Sequence, residues 1–84
     1  MKIRVLYFGE LRELVDTAQE TIEMAEGSSV SDLVKLLQSR PDPWHGALSS
    51  PDPLRIAVNQ EMARDDTTLS TDAEVALFRP VTGG

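Results

Sequence analysis

Glu74-Val75-Ala76-Leu77-Phe78-Arg79-Pro80-Val81-Thr82-Gly83-Gly84 closes the sequence, and its first five residues follow different rules from its last six. Glu74 to Phe78 reads as a strand, with Val75 and Leu77 pointing one way and Ala76 and Phe78 the other. Pro80 lacks a backbone donor and has a fixed φ, so sheet pairing is expected to end near Arg79. Residues 79–84 then form a flexible arm on this reading. Extended at about 3.3 Å per residue, six residues reach roughly 20 Å, enough to leave one domain and enter a pocket on another protein. Gly83 and Gly84 carry no Cβ, so their backbone can thread a narrow channel and present a terminal carboxylate to attack from either face. A frayed end or a cloning scar also ends in Gly-Gly. The coincidence of strand, proline brake and arm favours a functional terminus.

A strand of this kind needs partners, and the rest of the chain supplies them. Lys2-Ile3-Arg4-Val5-Leu6-Tyr7-Phe8 is β-branched and aromatic, with Ile3, Val5 and Tyr7 on one face and Lys2, Arg4, Leu6 and Phe8 on the other. It reads as a central strand. Gly9 breaks it, and Leu11, Leu14 and Val15 then take helical spacing over little more than a turn, as a short connector. Gln19 to Met24 alternates and lies close enough to the first strand to pair antiparallel with it. Nearer the C-terminus, Leu54 to Val58 alternates and meets Asn59-Gln60, a turn-like pair. The brief run Glu61-Met62-Ala63-Arg64 makes a short edge strand. Asp65-Asp66-Thr67-Thr68 has turn composition. Its acidic pair reads as a solvated loop, and no metal is assigned to it.

The best helix lies between these strands, from Ser29 to Arg40. Ser29 is its N-cap, Asp32 sits near the positive end of its dipole, and Val30, Leu33, Val34 and Leu37 form an i, i+3, i+4, i+7 stripe. Pro41 and Pro43 stop it. The stretch from Pro41 to Pro53 reads as a connection in which Trp44, Ala47 and Leu48 pin a short helical turn to the core. His45 lies there without a partner in sequence for acid-base work and is given no role. The class is α+β: a mixed five-stranded sheet with one main helix and short helical connectors.

With 84 residues, the chain makes one domain. A domain this small buries only about 60 to 65% of its unfolded surface, which leaves one modest core and no deep private active site. Chemistry is expected to be shared with a partner. A net charge of −6 argues against nucleic acid or an anionic membrane and favours a basic protein surface. The sequence contains no cysteine, so it has no disulfide framework and no thiol nucleophile of its own. No apolar run approaches the roughly 20 residues of a membrane span and no signal-peptide pattern opens the chain, so a cytoplasmic location is expected.

The order β, β, α, β, β, β with a Gly-Gly terminus resembles the ubiquitin-like β-grasp fold. More narrowly, the chain resembles the small, sulfur-carrying subunits of molybdopterin synthase. The likeness runs through Tyr7-Phe8-Gly9-Glu10-Leu11-Arg12-Glu13-Leu14-Val15, through Val58-Asn59-Gln60, and through Asp72 to Phe78 into Pro80-Val81-Thr82-Gly83-Gly84. Gly-Gly alone also fits thiamine- or cysteine-pathway sulfur carriers, ubiquitin-like modifiers, or an interaction domain with an incidental end. The Pro-Val-Thr-Gly-Gly ending combined with the Phe-Gly-Glu-Leu-Arg-Glu-Leu start is the specific signal. Arg79 departs from the group, which commonly has a proline there.

The resemblance implies a β-grasp domain over residues 1–78, whose first and last strands are parallel neighbours at the sheet centre. The helix would pack on the face carrying Ile3, Val5, Ile56, Val58, Val75 and Leu77. It implies that Gly84 is the reacting residue, that Arg79, Pro80, Val81, Thr82 and Gly83 form the arm, and that no cofactor or metal is bound. A ubiquitin-activating-type adenylating enzyme would use ATP to activate the Gly84 carboxylate, and a sulfur donor would convert it to a thiocarboxylate. A larger catalytic subunit would receive the sulfur, in a heterotetramer. Strand parity sends Phe8 and Phe78 to the face opposite the helix, with Met62 near them, and the family contacts its large subunit through corresponding positions.

Overall fold

Two alternating apolar runs from opposite ends of the chain lie side by side and form the middle of the sheet. The computed structural model describes residues 1–80. β1 (Lys2–Tyr7) and β5 (Glu74–Phe78) run parallel, with Arg4 opposite Glu74, Val5 opposite Val75 and Tyr7 opposite Leu77. β2 (Gln19–Glu23) pairs antiparallel with the outer edge of β1, Ile3 facing Ile22. β3 (Arg55–Val58) pairs antiparallel with β5, and the two-residue β4 (Glu61–Met62) closes that side. The sheet order is β2-β1-β5-β3-β4. The mixed sheet with parallel first and last strands at its centre is the expected one.

Local chemistry sets the turns. Asn59 and Gln60 both have positive φ, 50° and 70°, as a type I′ hairpin requires. The Asn59 side chain also accepts the Glu74 amide at 3.0 Å, tying the hairpin to the start of β5. α1 (Gly9–Val15) follows β1 directly. Phe8 is still extended and occupies the N-cap of α1, and Gly9 at φ 57° lets the chain swing from strand to helix. The first strand therefore ends one residue earlier than its alternation suggests, although the Phe8 amide still reaches the Leu77 carbonyl at 3.1 Å.

α2 (Val30–Gln38) crosses one face of the sheet. Ser29 caps it reciprocally with Asp32: the Ser29 amide donates to Asp32 Oδ2 at 2.9 Å and the Asp32 amide to Ser29 Oγ at 3.3 Å. The acidic turn serves the same helix end, since the Val30 and Ser31 amides donate to the Thr67 and Asp65 carbonyls, both at 2.9 Å. Val30, Leu33 and Leu37 are fully buried against Ile3, Val5, Val75 and Leu77, and Val34 packs at their edge. The short helical turn expected at Trp44, Ala47 and Leu48 is α3 (Trp44–Ser49), a six-residue helix that buries Ala47 and Leu48, with Trp44 packed at the edge of the core. Among the described residues, no helix is long and apolar enough to cross a membrane.

Candidate docking face and arm root

The face opposite α2 has no covering layer among the described residues. Register draws one line across it, Gln19, Leu6, Ala76, Ala57 and Met62, one residue from each strand. Phe8 continues the parity of β1 beside Phe78 of β5, and Arg55 stands opposite Phe78. Phe8 is 48% exposed and Met62 62%, while Leu6, Ala57, Ala76 and Phe78 are half-buried. Phe8 and Phe78 are thus neighbours. Met62 lies two strand spacings, roughly 10 Å, from Ala76, which stands two residues before Phe78, so Met62 joins the phenylalanines only through the small residues Ala57 and Ala76. The three form the ends of an apolar band rather than one tight cluster.

Arg79 and Pro80, directly after β5, lie against the loop that links α3 to β3. The Arg79 guanidinium donates to the carbonyls of Ala47 and Asp52, with a longer contact to the Pro53 carbonyl at 3.5 Å. Glu10, Asp52, Pro53, Arg79 and Pro80 line a small surface cleft there. The first residue assigned to the arm is therefore held to the domain by its side chain. Val81, Thr82, Gly83 and Gly84 lie outside the described residues.

One polar constellation has no local signature in the sequence. The Tyr7 hydroxyl donates to Glu20 Oε2 at 2.8 Å, and Arg40 grips both oxygens of the same carboxylate at 2.9 Å. The Arg40 guanidinium also lies 4.5 Å from the centre of the Trp44 ring, which meets Tyr7 edge-on at 5.2 Å. The Arg40 hydrogen bonds hold the Glu20 carboxyl below its usual range despite partial burial, and the Tyr7 bond adds to this. Burial, followed by the Glu20 hydrogen bond, pushes the Tyr7 phenol up. The hydrogen bonds from Arg40 to Glu20 likewise raise the guanidinium. With the phenol protonated and the carboxylate ionised near neutrality, this is a lock between β1, β2, α3 and the turn that follows α2 rather than an acid-base pair. Its members lie 13 and 20 residues apart, beyond any spacing rule. His45 places Nδ1 2.8 Å from the Gln38 carbonyl at the end of α2. Among the described residues, no group of three or more His, Cys, Asp or Glu side chains is placed to hold a metal ion.

A sheet of this topology, with an open apolar band beside the root of a Gly-Gly segment, matches a described family. The family model for ThiS matches residues 5–84, nearly the whole chain. The chain belongs to the ThiS family. Among relatives of this ThiS-family chain, the molybdopterin synthase sulfur carrier subunit of Escherichia coli K12 is 40% identical over 82 residues, 98% of this chain and 99% of the relative. The crystal structure of SAMP1 from Haloferax volcanii superposes with a TM-score of 0.82 at 24% identity, covering all of both chains. A complex of subunits 1 and 2 of molybdopterin-converting factor from Helicobacter pylori contains a chain that superposes at 0.67 with 23% identity, again over both full lengths. At those identities the two structures bear on the fold, which is ubiquitin-like, and the E. coli relative carries the closer comparison.

Proposed function

We propose that this chain is the sulfur-carrying subunit of a molybdopterin synthase and that Gly84 is the atom-bearing end of the carrier. The observation that supports it best is the full-length match to the E. coli sulfur carrier subunit. A carboxylate is a poor electrophile, so a ubiquitin-activating-type enzyme first joins the Gly84 carboxylate to the AMP moiety of ATP and releases pyrophosphate. A sulfur donor attacks the activated carbonyl carbon and AMP leaves, which gives a terminal thiocarboxylate. That group is anionic and nucleophilic at neutral pH. The domain carries it into the active site of a larger subunit, where it sulfurates a pterin precursor. Holding the sulfur beside its target replaces a bimolecular encounter by a local one, and this is the carrier's share of the rate. The H. pylori complex, in which a chain of this fold sits with a second subunit, supports a two-subunit assembly. The band from Phe8 and Phe78 to Met62 is the face we assign to that contact, since a continuous apolar strip beside the arm root suits a protein partner.

Deleting Gly84, or appending a residue after it, should abolish sulfur loading in a reconstituted adenylation and sulfur-transfer assay read by intact mass. Gly83→Val should also block loading by adding side-chain bulk where the backbone must thread a channel. The melting temperature of each variant should stay near that of the parent, because the buried core ends at Leu77. A chain extended past Gly84 that still loads sulfur without being trimmed would rule out this chemistry.

A further inference from the structure

Arg79 spends its cation on the domain itself. Ala47 lies in the last turn of α3, and the residue four positions on, which would normally donate to its carbonyl, is Pro51, which has no N–H. Pro53 likewise brings no donor to the same loop. Pro51 thus leaves the Ala47 carbonyl without its i+4 donor, and the two prolines stiffen the segment that follows α3. The Arg79 fork donates to the Ala47 carbonyl, in place of the donor that Pro51 lacks, and to the Asp52 carbonyl, and its charge sits at the C-terminal, negative end of α3. Among the described residues, Arg79 makes no ion pair, and its acceptors are neutral carbonyls of the last turn of α3 and of the loop that follows it.

We propose that Arg79 is the positioning residue of the C-terminal segment. It clamps the chain to the α3–β3 loop immediately after Phe78 and so fixes where, and in which direction, that segment leaves the fold relative to the open apolar band. The part of this inference that concerns reactivity rests on the proposed carrier function; the clamp itself does not. A cation reserved for the partner would point outward with no internal acceptors, whereas this one is turned back onto the loop. A clamp at residue 79 also spares the partner from ordering that residue when the terminus enters its site.

The test uses the full chain with Arg79→Met, which removes the donors, and Arg79→Lys, which keeps the charge but not the planar fork. By NMR relaxation, the amides of Asp52, Leu54 and Arg79 should be as ordered as β5 in the parent and lose order in both variants. In adenylation by the activating enzyme, both variants should raise KM, by roughly tenfold if about one residue's backbone freedom is released, with kcat little changed. Unchanged amide order in Arg79→Met would overturn the clamp. A KM restored to the parent value by Arg79→Lys would also overturn it and assign the side chain to a charge contact with the partner. A parent chain that no activating enzyme adenylates would defeat the proposed function instead, while the relaxation data would still decide the clamp.

Discussion

The two faces of the sheet are made from the same strands, yet they do different work. On the covered face Ile3, Val5, Tyr7, Val75 and Leu77 are almost fully buried beneath Leu33 and Leu37 of α2. On the open face their immediate neighbours Leu6, Phe8, Ala76 and Phe78 remain half-buried or exposed, and Met62 stands out at the edge. Successive residues of a strand alternate sides, so one helix across one face divides each strand into residues that hold the fold and residues left for contact. A domain this small has no second layer to spend on the other face. Phe8 and Met62 therefore stay exposed there, on the face to which the proposed function assigns the partner contact.

The division can be broken most severely from the covered side. Leu33→Ala removes a fully buried side chain from the centre of the core and should cost about 3 kcal/mol of unfolding free energy, seen as a lower midpoint in urea with little change in slope. Affinity of the fraction that remains folded for the large subunit should be unaffected. Truncations on the open side should give the opposite pattern. Phe8→Ala, Met62→Ala and Phe78→Ala are each expected to weaken that binding by about 2 kcal/mol, or thirtyfold, in titration calorimetry, with a smaller loss of stability. Phe78, half-buried beside Arg79, should lose the most stability of the three. Unchanged affinity together with a large fall in stability would return these residues to the fold and move the docking surface elsewhere.

The smallest expected effect sharpens the rim of the covered face. Glu20 is held below its ordinary value of 4.5, first by the Arg40 hydrogen bonds. A carboxyl whose folded pKa is depressed contributes its stabilisation above the unfolded pKa and loses it as pH falls through the folded one. The parent protein should thus lose stability from about pH 4.5 downward through this pair, while Glu20→Gln should start lower near neutrality and show a shallower acid dependence. Urea midpoints of the two proteins compared at neutral and acidic pH read this out. Parallel curves would mean that the lock contributes nothing to acid sensitivity.

Much of this was legible because the signals are local. Ser29 followed by Asp32 announced a helix start, Val30, Leu33 and Leu37 its buried stripe, and Asn59-Gln60 a tight turn whose positive φ values the structure displays. Alternation along Lys2 to Tyr7 and Glu74 to Phe78 sorted side chains between two faces before any partner strand was known. α3 was legible only as a short helical turn carrying Trp44, Ala47 and Leu48, since the segment lies among prolines and offers barely more than one turn of apolar spacing. The arm root escaped in part, because Arg79 reads as the start of a free segment and its acceptors lie 26 to 32 residues earlier.

By itself, then, the sequence determined what depends on near neighbours and on period: strands, the main helix, the caps, the hairpin, the parity of Phe8 and Phe78, and the family signature of the Gly-Gly ending. Only the tertiary structure decided what depends on distant groups meeting. The Tyr7, Glu20, Arg40 and Trp44 lock is one case and the clamp of Arg79 on Ala47 and Asp52 is another. Periodicity is a property of a single segment. Hydrogen-bond partners across 20 or 30 residues are selected by packing, and that selection exists only once the sheet has brought the two ends of the chain together.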